Sequence, residues 1–265
     1  MGDVPFSRVL GIDCLEFQMS RNSAKPLNVQ CMIQLCDQLD LSMVHLLLNE
    51  IDYKVLKNRF FDLHPVLPEK YSHNAFGNLA TFRSIAYYAG TTGLVSQRNA
   101  LYTALQIDRR LVEDPLTRVN IQLYEDATQK LNKQGATLKL FKDMGVYAAL
   151  ENLKYLDLSE SKKKYVNYEP FARNVFLAFD MLDKNHHYQI EKLTTNHALI
   201  SARPHEKIQD GFKRKIVGNI YTSVIKQGGF TGIPYFSGDS IRIESKLLKS
   251  IHQGDDCCLY ELSQH

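Results

Sequence analysis

The feature that most constrains this chain is an apolar repeat at three- and four-residue steps, running from about residue 27 to residue 227. Side chains spaced this way share one face of an α-helix, so the repeat predicts amphipathic helices packed along apolar seams. Val29, Met32, Ile33, Cys36 and Leu39 make one stripe. Val44, Leu47, Leu48, Ile51, Val55 and Leu56 make the next, after a break near Asp40 and Ser42, either of which can accept a free helix N–H. In "EDPLTRVNIQLYEDATQKLNKQG", Asp114 is expected to cap a helix that Pro115 opens; Leu116, Val119, Leu123, Ala127 and Leu131 form its face and Gly135 stops it. Leu94, Leu101, Leu105 and Leu111 predict a partner helix before it, and Leu138, Phe141, Ala148, Leu153 and Leu156 another after it. Further helices are expected at 170–184, at 188–201 and at 204–227, the last opened by Pro204 and closed by Gly228–Gly229. Short connections between such helices imply antiparallel neighbours.

The fold class this pattern predicts is mainly α: a multi-helix, bundle-like single domain with a small irregular or β-containing C-terminal appendage. Residues 1–26 read as an N-terminal extended segment, 27–227 as the helical domain and 228–265 as the appendage. The boundary at 228 rests on "GGFTGIPYFSGDSIRIES", whose glycines and β-formers predict short strands or an ordered loop, followed by a short helix around Ser245–His252. A helical solenoid is not supported, because the tryptophan-anchored repeat signature is absent and the chain has no Trp.

Charge excludes one class of partner. The chain carries 32 Lys and Arg against 29 Asp and Glu, interspersed along its length, which is not the footprint of a specific nucleic-acid binder. Lys162–Lys164 and Lys213–Lys215 are short basic runs of the kind found on solvated faces. Five cysteines, an odd number without a C-x-x-C pair, argue against a disulfide framework and for a reducing, cytoplasmic setting. No signal-peptide pattern opens the sequence, Phe6 stands where a myristoylation motif needs Ser or Thr, and no apolar run reaches the roughly 20 residues of a membrane span.

P-loop, nucleophile-elbow and H-E-x-x-H motifs are all absent. The remaining candidate is "KYSHNAFGNLATFRSIAYY", residues 70–88, where a histidine stands before an apolar helix. Its "SHNAFGNLATFR" resembles the N-H-x-x-x-H-T-x-R stretch in the phosphodiesterase domain of SidE-family bacterial effectors, and is similar to the Y-H-N-x-x-H-A stretch of cyclic-nucleotide phosphodiesterases. The resemblance spans about 15 residues. On it His73 takes the first histidine position and Arg83 the nearby arginine, while Gly77 stands where the second histidine would be. Glu113 is offered for the catalytic glutamate, and Lys154, in "LKYLDL", occupies a further histidine position. The resemblance implies a metal-independent phosphodiester hydrolase acting on ADP-ribosylated or phosphoribosyl-linked ubiquitin, in a host cytosol. His73 would be nucleophile or base and Arg83 would stabilise charge on phosphate oxygens. No cofactor and no metal are expected, since the sequence has no His-Asp dipeptide.

From the residues alone, Ser72 or Asn74 caps a helix and His73 is a polar residue at its entrance. The rival reading of the whole chain is a non-catalytic α-helical protein-interaction or regulatory module with a protein partner. A second cluster, "DKNHHYQIEKLTTNHAL", brings His186, His187 and His197 close in sequence, but their spacing matches no zinc pattern and a turn followed by a half-buried helix is expected. Cys14 matches no nucleophile motif, and Cys257 and Cys258 read as packing residues.

Overall fold

The computed structural model describes residues 28–61, 63–92, 95–114, 116–152, 168, 172–173, 175–177, 179, 183–213, 215–237 and 242–264. The expectations for residues 1–26, for Cys14, for Pro170 and for Lys154 fall outside these residues. The chain divides into two compact units: Met1–Glu69 with Tyr102–Leu111, and Lys70–Leu101 with Val112–His265.

The first unit is built from α1 (Val29–Leu39), α2 (Met43–Leu47) and α3 (Tyr53–Phe60). Cys31, Leu35, Cys36 and Leu39 recur at helical spacing and bury against Leu41, Met43, Leu46, Ile51, Leu56 and Phe60. The break at Asp40 is real: the residue adopts a left-handed φ of 51° and ends α1. Asn28 caps α1 through Cys31 N–H, and Asp52 caps α3 through the N–H groups of Lys54 and Val55. Where one continuous second helix was expected, Asn49 at φ 55° separates α2 from α3.

The second unit contains α4 (Glu69–Ser72), β1 (Gly77–Asn78), α5 (Leu79–Thr91), α6 (Val95–Ala104), β2 (Arg118–Val119), α7 (Ile121–Lys133), α8 (Leu138–Asn152), β3 (His186–Leu193), β4 (His197–Pro204), α9 (Glu206–Phe212), α10 (Ile220–Ser237), β5 (Ile243–Lys249) and β6 (Cys258–Gln264). The end of α6 passes into the first unit's portion of the chain. β3, β4, β6 and β5 form an antiparallel four-stranded sheet in that order, and β1 pairs with β2 in a separate ribbon.

This architecture overturns the mainly α bundle with a C-terminal appendage. The segment expected as a helix at 188–201 is the β3–β4 hairpin, in which Ile190 pairs with Ile200 and Tyr188 with Ala202. The alternation decides it: Tyr188, Ala198, Ile200 and Ala202 face inward, as do Cys258, Tyr260 and Leu262 of β6, while Gln189 and Arg203 face out. The sheet's inner face packs on Phe230 and Ile233 of α10, so the strands share a core with the helices. Gly228 and Gly229 do not stop a helix; they lie inside α10, which continues to Ser237.

The glycines stay helical because α8 and α10 cross at contact distance. A Cβ on Gly145 would collide with the Ile225 carbonyl oxygen, and one on Gly228 with the Lys142 carbonyl oxygen. Helix α7 begins at Ile121 under an Asn120 cap, later than expected, because Asp114 instead folds a turn with Leu116 N–H and the Thr117 hydroxyl. Leu123, Ala127 and Leu131 are buried as expected, whereas Leu116 is exposed. Gly135 follows the helix at a φ of 95°, which L side chains rarely adopt.

Candidate functional site

Among the described residues, an apolar cavity of about 90 Å³ lies in the second unit between α5, α7, α8 and α10. Ile85, Ile121, Ala148, Phe179, Ile225 and Ile233 give it apolar walls. The close helix crossing helps to create it: Gly145 and Gly229 are part of the lining and contribute no side chain. A Cβ on Gly229 would lie 2.6 Å from Phe179 Cζ.

Polar groups from four segments also line this cavity. Asn152 ends α8, Thr81 belongs to α5, Asp183 and Asn185 precede β3, and Lys226 rises from the middle of α10. Asp183 Oδ2 accepts hydrogen bonds from the Tyr188 hydroxyl at 2.7 Å and from His186 Nδ1 at 3.1 Å, and lies 3.2 Å from Lys226 Nζ. Burial pushes the Asp183 carboxyl up, but Lys226, His186 and Tyr188 outweigh it and hold the group well below the usual carboxylate range. His186 is pushed down by burial first and by the charge of Lys226 second, so its ring is neutral. Nearby His252 is lowered to about 4, by burial and then by Lys226 and His186.

Two acceptors in the lining have no protein partner. Asn185 is buried, its Nδ2 donates to Asp183 Oδ1 at 3.0 Å, and its Oδ1 is unpaired. A carboxylate cannot donate, so this bond fixes which end of the amide faces away from Asp183. Asn152 is likewise buried, donates from Nδ2 to Thr81 Oγ1 at 2.8 Å, and leaves its Oδ1 unpaired. An unsatisfied buried acceptor costs about 1–3 kcal/mol, so two in one small cavity need an explanation.

A larger hollow of about 390 Å³ occupies the first unit, lined by Asp37, Asp40, Arg59, Asp108, Arg109 and Arg110 among others. Two ion pairs close within it, Arg110 forking onto Asp108 at 2.7 Å and Arg109 reaching Asp40 at 3.4 Å, while Arg59 Nη1 donates to the carbonyls of Leu39 and Asp40 and its Nη2 is buried without a partner. Equal numbers of acids and bases line it, and we place the candidate site in the smaller apolar cavity.

The residues singled out by sequence lie elsewhere. His73 follows α4 on an exposed turn, whose backbone is held by Asn120 Nδ2 donating to the His73 carbonyl at 2.9 Å. Arg83 is half-buried on α5, near Tyr147. Glu113 closes a 3-10 turn at Arg109–Glu113. His73 and Arg83 are not among the cavity's lining residues, but Gly77 is. A Cβ at Gly77 would lie 2.5 Å from Tyr124 Oη, whose hydroxyl donates to the Asn78 carbonyl at 2.6 Å, so this backbone has no room for a histidine side chain.

The histidine-rich segment separates. His186 is buried in the Asp183 cluster, His187 points outward, and His197 on β4 pairs with Glu261 at 2.9 Å. Cys257 and Cys258 are buried, and burial followed by Asp256 pushes the Cys257 thiol up. Sequence reasoning missed Asn152, Asp183, Asn185 and Lys226; the one local hint was "DKNHH", an acid and an amide just ahead of an inward-facing histidine.

No family model and no curated protein sequence matches this chain. Among solved structures it is similar to an H-NOX protein from S. oneidensis, described in its Fe(II) ligation state, at 12% identity and a TM-score of 0.50 over 71% of this chain and 95% of that one. It is also similar to an Fe(II) unliganded H-NOX protein mutant from K. algicida, at 8% identity and a TM-score of 0.48 over 71% and 96%. A trafficking protein particle complex subunit 3 from Naegleria fowleri, covalently bound to palmitic acid, matches at 14% identity and a TM-score of 0.41 over 55% and 92%. The first likeness concerns the fold alone and agrees with a sheet integrated among helices; the other two carry no argument. Among the described residues, neither His nor Cys lines the cavity, and no group of three or more His, Cys, Asp or Glu could hold a metal ion. No helix among the described residues is long and apolar enough to cross a membrane.

Proposed function

We propose that this chain is a non-catalytic regulatory module whose cavity takes a small neutral molecule with an apolar body and a hydrogen-bond donor. The observation that carries this reading is the pair of buried, unpaired amide oxygens on Asn152 and Asn185 in an otherwise apolar lining. Hydrophobic walls supply affinity and a few placed polar groups supply orientation, which is the usual division of labour in ligand pockets. Charge argues for neutrality. Lys226 and Asp183 already balance each other, and His186 and His252 are held towards their neutral forms, so an added carboxylate would face Asp183 without a second cation.

An apolar cavity of about 150 Å³ holds benzene, or about 25 Å³ per non-hydrogen atom, so this one suits about four such atoms. At best about −1.5 kcal/mol per atom, the ceiling is about −6 kcal/mol, or a Kd of about 40 µM. Propan-1-ol has the right size and a donor; 1-chloropropane has the size alone. At 10-fold excess over Kd a bound ligand stabilises by about 1.4 kcal/mol, an increase of about 3–6 °C in Tm. Propan-1-ol is expected to give this shift and 1-chloropropane a smaller one, with the difference removed in Asn185→Leu. Equal shifts from both compounds, or none from either, would overturn the reading.

A further inference from the structure

We propose that the hollow of the first unit is a second binding site and that it takes a small zwitterion, an amino acid, with the carboxylate on Arg59 and the ammonium on Asp37. It shares no lining residue with the apolar cavity and does not depend on it. The case is a count of charges. Three acids, Asp37, Asp40 and Asp108, and three bases, Arg59, Arg109 and Arg110, line the hollow. Asp108 is fully engaged by Arg110, which donates from Nε to Oδ1 at 3.1 Å and from Nη2 to Oδ2 at 2.7 Å. Asp40 Oδ1 accepts from Arg109 Nη2 at 3.4 Å and from the Thr103 hydroxyl at 2.8 Å. Two opposite charges are left over: among the described residues, neither Asp37 nor Arg59 has an ion-pair partner.

Arg59 is held ready for an anion. It rises from α3, and its Nη1 donates to the carbonyls of Leu39 and Asp40 at the end of α1, where helix carbonyls lack intrahelical donors. Those bonds fix the guanidinium, and its Nη2 is buried with no acceptor. Burial pushes Arg59 down from its ordinary value; Asp40 and Asp108 oppose that through space, and Arg109 and Arg110 add to it. A buried donor on a cationic group calls for an oxygen from outside the chain, and a carboxylate matches a guanidinium in both charge and planar geometry. A carboxylate alone would leave the hollow one charge negative. An ammonium on the same molecule, reaching the exposed Asp37 in the last turn of α1, keeps the site neutral. At about 25 Å³ per non-hydrogen atom, a hollow of about 390 Å³ has room for about 15 atoms, the size range of the common amino acids.

The test is isothermal titration calorimetry on the whole chain at constant ionic strength. Glycine, β-alanine and 4-aminobutanoate place the two charges at increasing separations, while acetate and methylammonium carry one charge each. At least one of the three zwitterions is expected to bind at least about tenfold tighter than either single ion. Asp37→Asn alters an exposed side chain without a partner, so the fold is unaffected, and it is expected to bring that zwitterion's affinity down to that of acetate. Arg59→Lys keeps the charge, loses the planar fork and is expected to weaken the zwitterion about tenfold. Binding of none of the three, acetate binding as tightly as the best of them, or unchanged affinity in Asp37→Asn would overturn the proposal.

Discussion

Replacing Lys226 by Met isolates the electrostatics of the cavity. The side chains of Lys226 and Asp183 are 12% and 16% exposed, so the pair is largely removed from water. Removing one partner of a buried ion pair costs about 3–5 kcal/mol, because the other charge stays behind unpaired. Asp183 retains the Tyr188 hydroxyl and the His186 ring, which places the expected loss near the lower end, about 3 kcal/mol, or about 6–12 °C in Tm. The loss should depend on pH with a defined sign. In the wild type the charge of Lys226 helps to depress His186; without it, Asp183 draws a proton onto the ring. A histidine that gains a carboxylate partner stabilises the fold below its folded pKa and loses that contribution as pH rises through it. The gap between wild type and Lys226→Met should therefore be wider at about pH 8 than at about pH 5.5. Urea titrations at both pH values measure it, and Lys226→Met/Asp183→Asn should recover more than half of the loss at the higher pH. A loss under about 1 kcal/mol at pH 8, or a gap that widens as pH falls, would refute the buried-pair argument.

Other consequences are as direct. Gly145→Ala must push α8 away from the Ile225 carbonyl, and overpacking of this kind typically costs 1–3 kcal/mol, so a loss of about 2 kcal/mol or more is expected in urea unfolding. In the wild type, His186 and His252 both have folded pKa values below their unfolded ones, so their stability contribution is present above about pH 6.5 and is lost as pH falls towards 4; Tm should drop across that window, less steeply in His252→Gln. Asn152→Leu removes an unpaired acceptor and should leave stability within about 1 kcal/mol of wild type in the same titration. His73 is exposed and outside the cavity, so His73→Ala should match wild type on a generic phosphodiester and on phosphoribosyl-linked ubiquitin; turnover that depends on His73 would restore the phosphodiesterase reading.

Helices were legible where one face alone is buried. Leu123, Ala127 and Leu131 mark α7, and Gly135 marks its end, because an amphipathic surface helix writes its period into the sequence. The sheet was hidden by two ambiguities. In "HHYQIEKL" the inward residues are a histidine and a tyrosine, polar enough to read as a turn, and the bulge between Ile190 and Lys192 breaks the alternation. Gly228 and Gly229 carry the local signal of a helix stop, while their role in a helix crossing depends on α8, more than 70 residues earlier. The cavity was less legible still. Asn152, Asp183, Asn185 and Lys226 are unremarkable polar residues in sequence, and it is burial in the folded chain, together with the hydrogen bonds they make or lack, that distinguishes them.

The most direct test of the ligand-site reading is a crystal structure with 2-bromoethanol, which has four non-hydrogen atoms and a bromine that can be located by anomalous scattering. The bromine is expected among Ile85, Ile225 and Ile233, with the hydroxyl about 2.6–3.0 Å from Asn185 Oδ1 or Asn152 Oδ1. Ordered water bridging those two oxygens, with no bromine in the cavity at saturating alcohol, would contradict it.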